Sequence, residues 1–243
     1  MKQYVCGRNA VMELLKSGVE VDKLYIQKGE LKGSIKAIIA KASDKRIIIS
    51  EVDKRKLDEL SEGLPHQGVV AYVSDYKYYE VDEIIEYARS KNEAIRLIIL
   101  DEIEDPHNTG SIIRTAETAG FHGVIMPKRR SSGITTTVHK ASAGATTYMK
   151  VAKVTNIAET INRLKEENIW VYGADGDADT LYTQADLKGN VCLVIGNEGK
   201  GITRLVKERC DQLIKLPMFG RIESLNASNA AAILIYEVVR QNA

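Results

Sequence analysis

Cysteine occurs only three times in 243 residues, at Cys6, Cys192 and Cys210, with no C-x-x-C spacing. An odd, scattered set excludes a disulfide framework and offers no zinc site, so reduced and mostly buried thiols are expected. The four histidines, His66, His107, His122 and His139, share no metal-ligand spacing; structural or solvated rings are expected, and no metal. Long apolar runs are missing too. No stretch approaches the roughly 20 apolar residues that cross a bilayer, and MKQYVCGRNAVMELLKSG lacks the run of a signal peptide, which points to the cytoplasm and to no membrane partner. Charge of one sign is also lacking, since the net charge is +1. The chain therefore has no overall basic field, although it is mildly asymmetric: 13 Lys and Arg face 10 Asp and Glu up to residue 73, and 21 face 23 beyond it. Local patches remain at Lys128, Arg129 and Arg130 and along Lys200, Arg204, Lys207 and Arg209, readable as solvated faces or as phosphate contacts.

What is present is a hydrophobic content of 44%, enough to build packed cores. The front of the chain alternates helical and strand periods. Apolar residues at Val11, Leu14 and Leu15 predict a helix, VDKLYI alternates as a strand, residues 35–42 read as a second helix, and RIIIS and HQGVVAYVS as two further strands. This small α/β unit, 1–73, is expected to end near Ser74. The tyrosine-rich, charged stretch 74–90 reads as a linker joined to a short helix. From residue 91 the strands become continuous rather than alternating, in RLIILD, GVIMP, IWVYGAD, VCLVIG and QLIKLP, with helices between them. Continuous strands of this kind suit a parallel sheet covered on both faces, which places ligand-binding loops at the carboxyl ends of the strands.

Three of those loops carry chemistry. DPHNTGSIIRTAETAG, residues 105–120, runs into a helix whose apolar face is interrupted by Asn108, Arg114 and Glu117. GNEGKGI, residues 196–202, is glycine-rich but follows its lysine with Gly201, so it is no P-loop, and G-x-G-x-x-G is absent from the chain. A tight turn and a close backbone approach to a ligand both fit it. LPMFGRIESLNASNAAA places Ser224, Asn226, Ser228 and Asn229 before an apolar helix, more polar groups than an N-cap requires. That helix, 226–240, is apolar almost all round; it is expected either in the core or against a second subunit, with Ile235 and Val239 at its outer positions.

In their order and at strand ends, N-T-G-S-I-I-R-T-A-E-T-A-G, I-G-N-E-G-K-G-I and L-P-M-F-G-R-I-E-S-L-N-A-S-N-A-A-A resemble the three motifs of the SpoU (TrmH-like) RNA ribose 2'-O-methyltransferases of the SPOUT superfamily. GRNAVMELL and HQGVVA resemble the ends of the small substrate-binding domain, similar to ribosomal protein L30e, found on the type that methylates a guanosine in 23S ribosomal RNA. The resemblance implies an α/β chain with an L30e-like front domain and, over 91–243, a trefoil-knotted parallel-sheet methyltransferase domain. It further implies S-adenosyl-L-methionine as cofactor, 23S ribosomal RNA as partner, a homodimer, and methylation of a ribose 2'-OH. Carried over residue by residue, it makes Arg114 catalytic with Asn108 its partner at the helix mouth. Glu198 is expected to pair with Arg114 or orient the ribose, and Ser224 and Asn226 to lie near the target sugar. Gly196, Leu216, Met218, Leu225 and Asn226 are expected around the cofactor. A transfer RNA substrate is the second reading, and a non-catalytic RNA-binding or ribosome-assembly module on the same fold the third.

Overall fold

The computed structural model describes residues 3–16, 21–29, 33–73, 76–222 and 224–243. They fall into two units, Met1–Lys77 and Tyr78–Ala243. In the first, β1 (Gln3–Cys6), α1 (Arg8–Lys16), β2 (Lys23–Gln27), α2 (Ser34–Asp44), β3 (Ile48–Val52), α3 (Lys54–Leu60) and β4 (Val69–Val73) follow one another. The strands order as β1-β4-β2-β3, with β2 and β3 parallel and the other pairs antiparallel. Leu24 and Ile26 alternate inward from β2, Val11 and Leu15 face them from α1, and Ile38 and Ala42 from α2, which gives one small core. The strand expected at RIIIS is only half-buried, because β3 lies at the sheet edge with a single neighbour.

The second unit contains α4 (Val81–Ser90), β5 (Arg96–Asp101), α5 (Pro106–Thr118), β6 (Gly123–Pro127), α6 (Thr136–Ala141), β7 (Lys150–Val154), α7 (Ile157–Glu166), β8 (Trp170–Ala174), β9 (Thr180–Leu181), β10 (Val191–Gly196), α8 (Arg204–Arg209), β11 (Gln212–Lys215) and α9 (Ala227–Gln241). Its seven strands pair throughout in parallel, in the order β7-β6-β5-β10-β8-β11-β9. Every residue of β5 from Leu97 to Asp101 is buried, as a strand sandwiched between helices must be. Leu97 and Ile99 share a core with α4, α7 and α8. The chain steps outward from β5 through β6 to β7, then returns to β8 on the far side of β10. The order therefore reverses between β5 and β10, the place in an open parallel sheet where ligand-binding loops gather.

From Tyr78 on, the stretch expected as a linker joined to a short helix belongs to this unit, and the short helix is α4. Ser74 and Asp75, where the front unit was expected to end, lie outside the described residues. Beyond them, Val81, Ile84, Ile85 and Ala88 are buried at helical spacing in the core of the second unit. Gly123 on β6 makes room for them, since a Cβ there would lie 2.4 Å from Cγ2 of Ile84. Ahead of the helix, the Tyr79 amide donates to the Val151 carbonyl at 2.9 Å, and Lys150 and Lys153 sit 4.1 and 4.0 Å from the ring centres of Tyr79 and Tyr78. The tyrosines thus cover the edge of β7, which explains their density better than a tether does.

Candidate active site

The turn after β5 begins α5 with a strong cap: the Asp105 carboxylate accepts from the amides of His107 and Asn108 at 3.2 and 3.1 Å. This cap fixes Asn108, 6% exposed, at the mouth of the helix. The Asn108 side-chain amide donates to Oε1 of Glu198 in the glycine-rich loop. Asn226 joins them from the third loop, its Nδ2 reaching Oδ1 of Asn108 at 2.9 Å and Oε1 of Glu198 at 3.0 Å. Its other end caps α9, where Oδ1 accepts from the Ser228 amide at 3.0 Å and the Ser228 hydroxyl at 2.6 Å. Capping and clustering are therefore one arrangement. One asparagine starts the last helix and ties three loops together.

The glycine loop is held from below. The buried Asp101 accepts from the Thr203 amide at 2.7 Å, and burial raises its carboxyl above the usual range. The Asn197 side chain donates to the Glu102 carbonyl at 3.2 Å, while the backbones of Asn197 and Gly201 exchange hydrogen bonds of 3.1 and 2.7 Å. Gly196 sits at the neck of this loop, where a Cβ would lie 2.2 to 2.4 Å from backbone atoms of Gly201 and Ile202. Glycine is required here for the loop to close on itself. The sequence motifs do not single out Asp101 and Asn197 as loop supports, because their partners are backbone groups of distant segments.

A cavity of about 770 Å³ opens beside Glu198 at the carboxyl ends of β8, β10 and β11. Gly196, Leu216, Met218 and Leu225 all line it, as do Glu198 and Ser224. Ile195, Ile214, Ala227 and Leu234 give it apolar walls, and Asp175 and Asp177 give it an acidic end. Asp175 is ion-paired with Lys207, one of the cations of the expected basic run, and Arg204 and Arg130 are likewise paired, with Glu208 and Glu102. Arg114 is placed elsewhere. It is exposed on α5, and the expected pairing with Glu198 is not formed; the partners of that carboxylate are the side-chain amides of Asn108 and Asn226, both on Oε1.

The cysteines and two of the histidines have structural surroundings. Burial pushes the Cys210 thiol up to about 12 and raises that of Cys192 well above its ordinary value, so both remain unreactive thiols. Cys192 is buried, whereas Cys6 and Cys210 are half-buried. His66 bridges Asp58 and the Gly68 amide at 3.0 Å each, and His122 accepts from the Arg96 amide at 3.1 Å, both structural roles. Among the described residues no group of His, Cys, Asp and Glu is arranged to hold a metal ion. No described helix is long and apolar enough to cross a membrane.

Comparison with known proteins bears on both units. The model of the SpoU rRNA Methylase family matches residues 96–236, and a model described as RNA 2'-O ribose methyltransferase substrate binding matches residues 4–79. A Bacillus subtilis (strain 168) protein, YacO, named as a TrmH family tRNA/rRNA methyltransferase, is 50% identical over 98% of this chain and 95% of its own. A relative from Staphylococcus haemolyticus (strain JCSC1435), named for the same family, is 46% identical with the same coverage. Among solved structures, the SpoU methyltransferase AviRb from Streptomyces viridochromogenes in complex with the cofactor AdoMet aligns with a TM-score of 0.62 at 25% identity, over 99% of this chain and 90% of that one. A TrmH family RNA methyltransferase from Porphyromonas gingivalis aligns with a TM-score of 0.60 at 25% identity, over 99% and 90%.

Proposed function

The chain belongs to the SpoU rRNA methylase family, and on that premise we propose that it methylates the ribose 2'-OH of a guanosine in 23S ribosomal RNA with S-adenosylmethionine. The observation that carries this reading is the Asn108–Glu198–Asn226 cluster on the rim of the cavity. The cavity suits the cofactor. Its volume is that of a small-molecule site, its apolar walls accept an adenine, and its carboxylates favour a cationic ligand over a polyphosphate. Gly196, Leu216, Met218 and Leu225 would hold the adenosine through backbone groups and apolar contact, with Asn226 alongside. When bound, S-adenosylmethionine supplies an electrophilic methyl group on a positive sulfonium.

The residues of this chain then have to make a weakly acidic alcohol nucleophilic and hold it in line with that methyl. Both amides of the cluster engage Oε1 of Glu198. Oε2 is the oxygen left to accept a hydrogen bond from the ribose hydroxyl. Ser224, on the same cavity wall, supplies a second hydrogen bond to the sugar. Arg114 acts as phosphate clamp and as electrostatic partner of the developing alkoxide, since its guanidinium presents a planar fork of donors and does not give up its proton in proteins. Asn108 and Asn226 position Glu198.

The finer parts of the reading are a trefoil threading of the chain beside the cofactor, an L30e-like, RNA-guiding front unit and residence in the cytoplasm. A homodimer belongs with them, and α9 supports it. Ile235, expected at an outer position, is fully buried, because it lies one turn from Ala231 on the core face, and Val239 is half-buried. The outward apolar side chains are Ile233 and Tyr236, 40% and 51% exposed. Ile233→Glu together with Tyr236→Glu is expected to convert a sedimenting dimer to monomer without loss of helix content; a wild-type protein that sediments as a monomer removes the proposal. The function itself is tested by mapping 2'-O-methyl groups in total RNA from cells lacking the protein. Loss of one guanosine methyl in 23S ribosomal RNA is expected. A methyl lost from a transfer RNA instead changes the substrate, and an unchanged map overturns the reading.

A further inference from the structure

The loop that follows β11 alternates. Met218, Gly220 and Ile222 line the cavity, whereas Phe219 and Arg221, the residues between them, do not. Phe219 is 95% exposed. The chain has only two phenylalanines, and the other, Phe121, is buried. One of two phenyl rings is thus held almost wholly in solvent beside the cavity, and it is not alone: Met218 and Ile222 on the same loop are 39% and 76% exposed, so three large apolar side chains within five residues face solvent, a grouping that marks interaction sites where a lone exposed ring does not. The neighbouring positions are cationic: Arg221 is exposed on the same loop, and Lys200 is exposed on the glycine loop next to the cavity-lining Gly201.

We propose that Phe219 and Arg221 form a stacking platform for an unpaired nucleobase of the RNA next to the target ribose, the phenyl ring taking the base face and the guanidinium the flanking phosphate. This rests on the reading of the protein as an RNA methyltransferase and adds to it a specificity-determining site outside the cofactor cavity. A base has a π-face and a phosphate a negative charge, and the loop offers one complement to each. A second copy of the chain offers no counterpart for the two cations that it would not equally need for its own, whereas RNA carries a phosphate at every nucleotide, and the oligomeric state of the Phe219→Ala protein separates the two occupants.

The test uses the full-length protein with unmodified 23S ribosomal RNA transcript and, separately, S-adenosylmethionine. Phe219→Ala is expected to weaken RNA binding about tenfold, within the range measured for loss of one base–aromatic stack, and to leave cofactor affinity and the thermal transition unchanged. Phe219→Trp is expected to restore binding. In a chain that also carries Trp170→Phe, the tryptophan introduced at position 219 should be quenched on adding the RNA. Unchanged RNA affinity in Phe219→Ala overturns the platform, and so does a dimer that falls to monomer in that variant, which would assign the ring to a second copy. Binding and quenching are read without methyl transfer. An RNA that binds through Phe219 but is never methylated therefore leaves the platform standing and removes the proposed function.

Discussion

Arg114→Ala is expected to lower methyl transfer by about 10²- to 10⁴-fold, the range spanned by loss of a single proton-transfer or charge-stabilising group, while S-adenosylmethionine binds within two- to threefold of its native affinity. The structure separates the two effects. Arg114 is exposed on α5, does not line the cavity and is not in the Asn108–Glu198–Asn226 cluster, so its removal disturbs neither the cofactor walls nor the three-loop tie. Helix geometry places it about 240° around and about 9 Å along from Asn108. On the proposed function it acts on the RNA side. Calorimetry with the cofactor and single-turnover transfer to RNA, measured on one preparation, check this.

The distribution of the loss between kcat and KM tells the two roles of the arginine apart. A phosphate clamp used equally in ground state and transition state appears as a raised KM, whereas stabilisation of the developing alkoxide appears in kcat. Arg114→Lys keeps the charge but loses the planar fork. It is expected to recover part of the kcat loss and little of any KM change. Turnover near wild type in Arg114→Ala would take the residue out of the mechanism.

How much of this was legible in the sequence depended on where each residue's partners lie. Strands buried on both faces, such as β5 and β10, announce themselves as apolar runs, and α5 as a capped helix with Pro106 in its first turn. The edge strand β7, KVAKV, carries no apolar run to announce it, because its half-buried Lys150 and Lys153 stack on tyrosines far away in sequence. The six-residue helix α6 was hidden in a Ser/Thr-rich segment too short to show a period, and what fixes it is contact: a Cβ on Gly110 would lie 2.5 Å from that of Ala141. At the site, the motifs supplied Asn108, Glu198 and Asn226 but not the bonds among them. The pairing of Glu198 with the two asparagines rather than with Arg114 is a property of three loops meeting at the β5/β10 reversal. No single motif contains it.

The same reasoning decides where the chain can be cut. A protein beginning at Lys91, the boundary that composition suggests, is expected not to fold, whereas one beginning at Tyr78 is expected to fold and to bind S-adenosylmethionine with native affinity. Cutting at Lys91 removes α4 and with it Val81, Ile84, Ile85 and Ala88, all buried in the core shared with Leu97, Ile99 and Ile125. At about 1.5 to 3 kcal/mol for each large apolar side chain, the loss is on the order of 5 to 8 kcal/mol. That is comparable to the whole stability of an ordinary domain. It also uncovers the groove over Gly123 and strips the edge of β7 of the Tyr79 hydrogen bond. The Tyr78 chain keeps all of these. It lacks the front unit, where cations outnumber anions by 13 to 10 up to residue 73. Its RNA binding should therefore be weaker and less dependent on salt, and it should methylate at a small fraction of the full-length rate. Circular dichroism melts of the two truncated proteins make the comparison. Equal transitions would show that α4 is an ornament on the domain, and equal methylation by the Tyr78 chain and the full-length protein would assign the front unit a task other than guiding RNA.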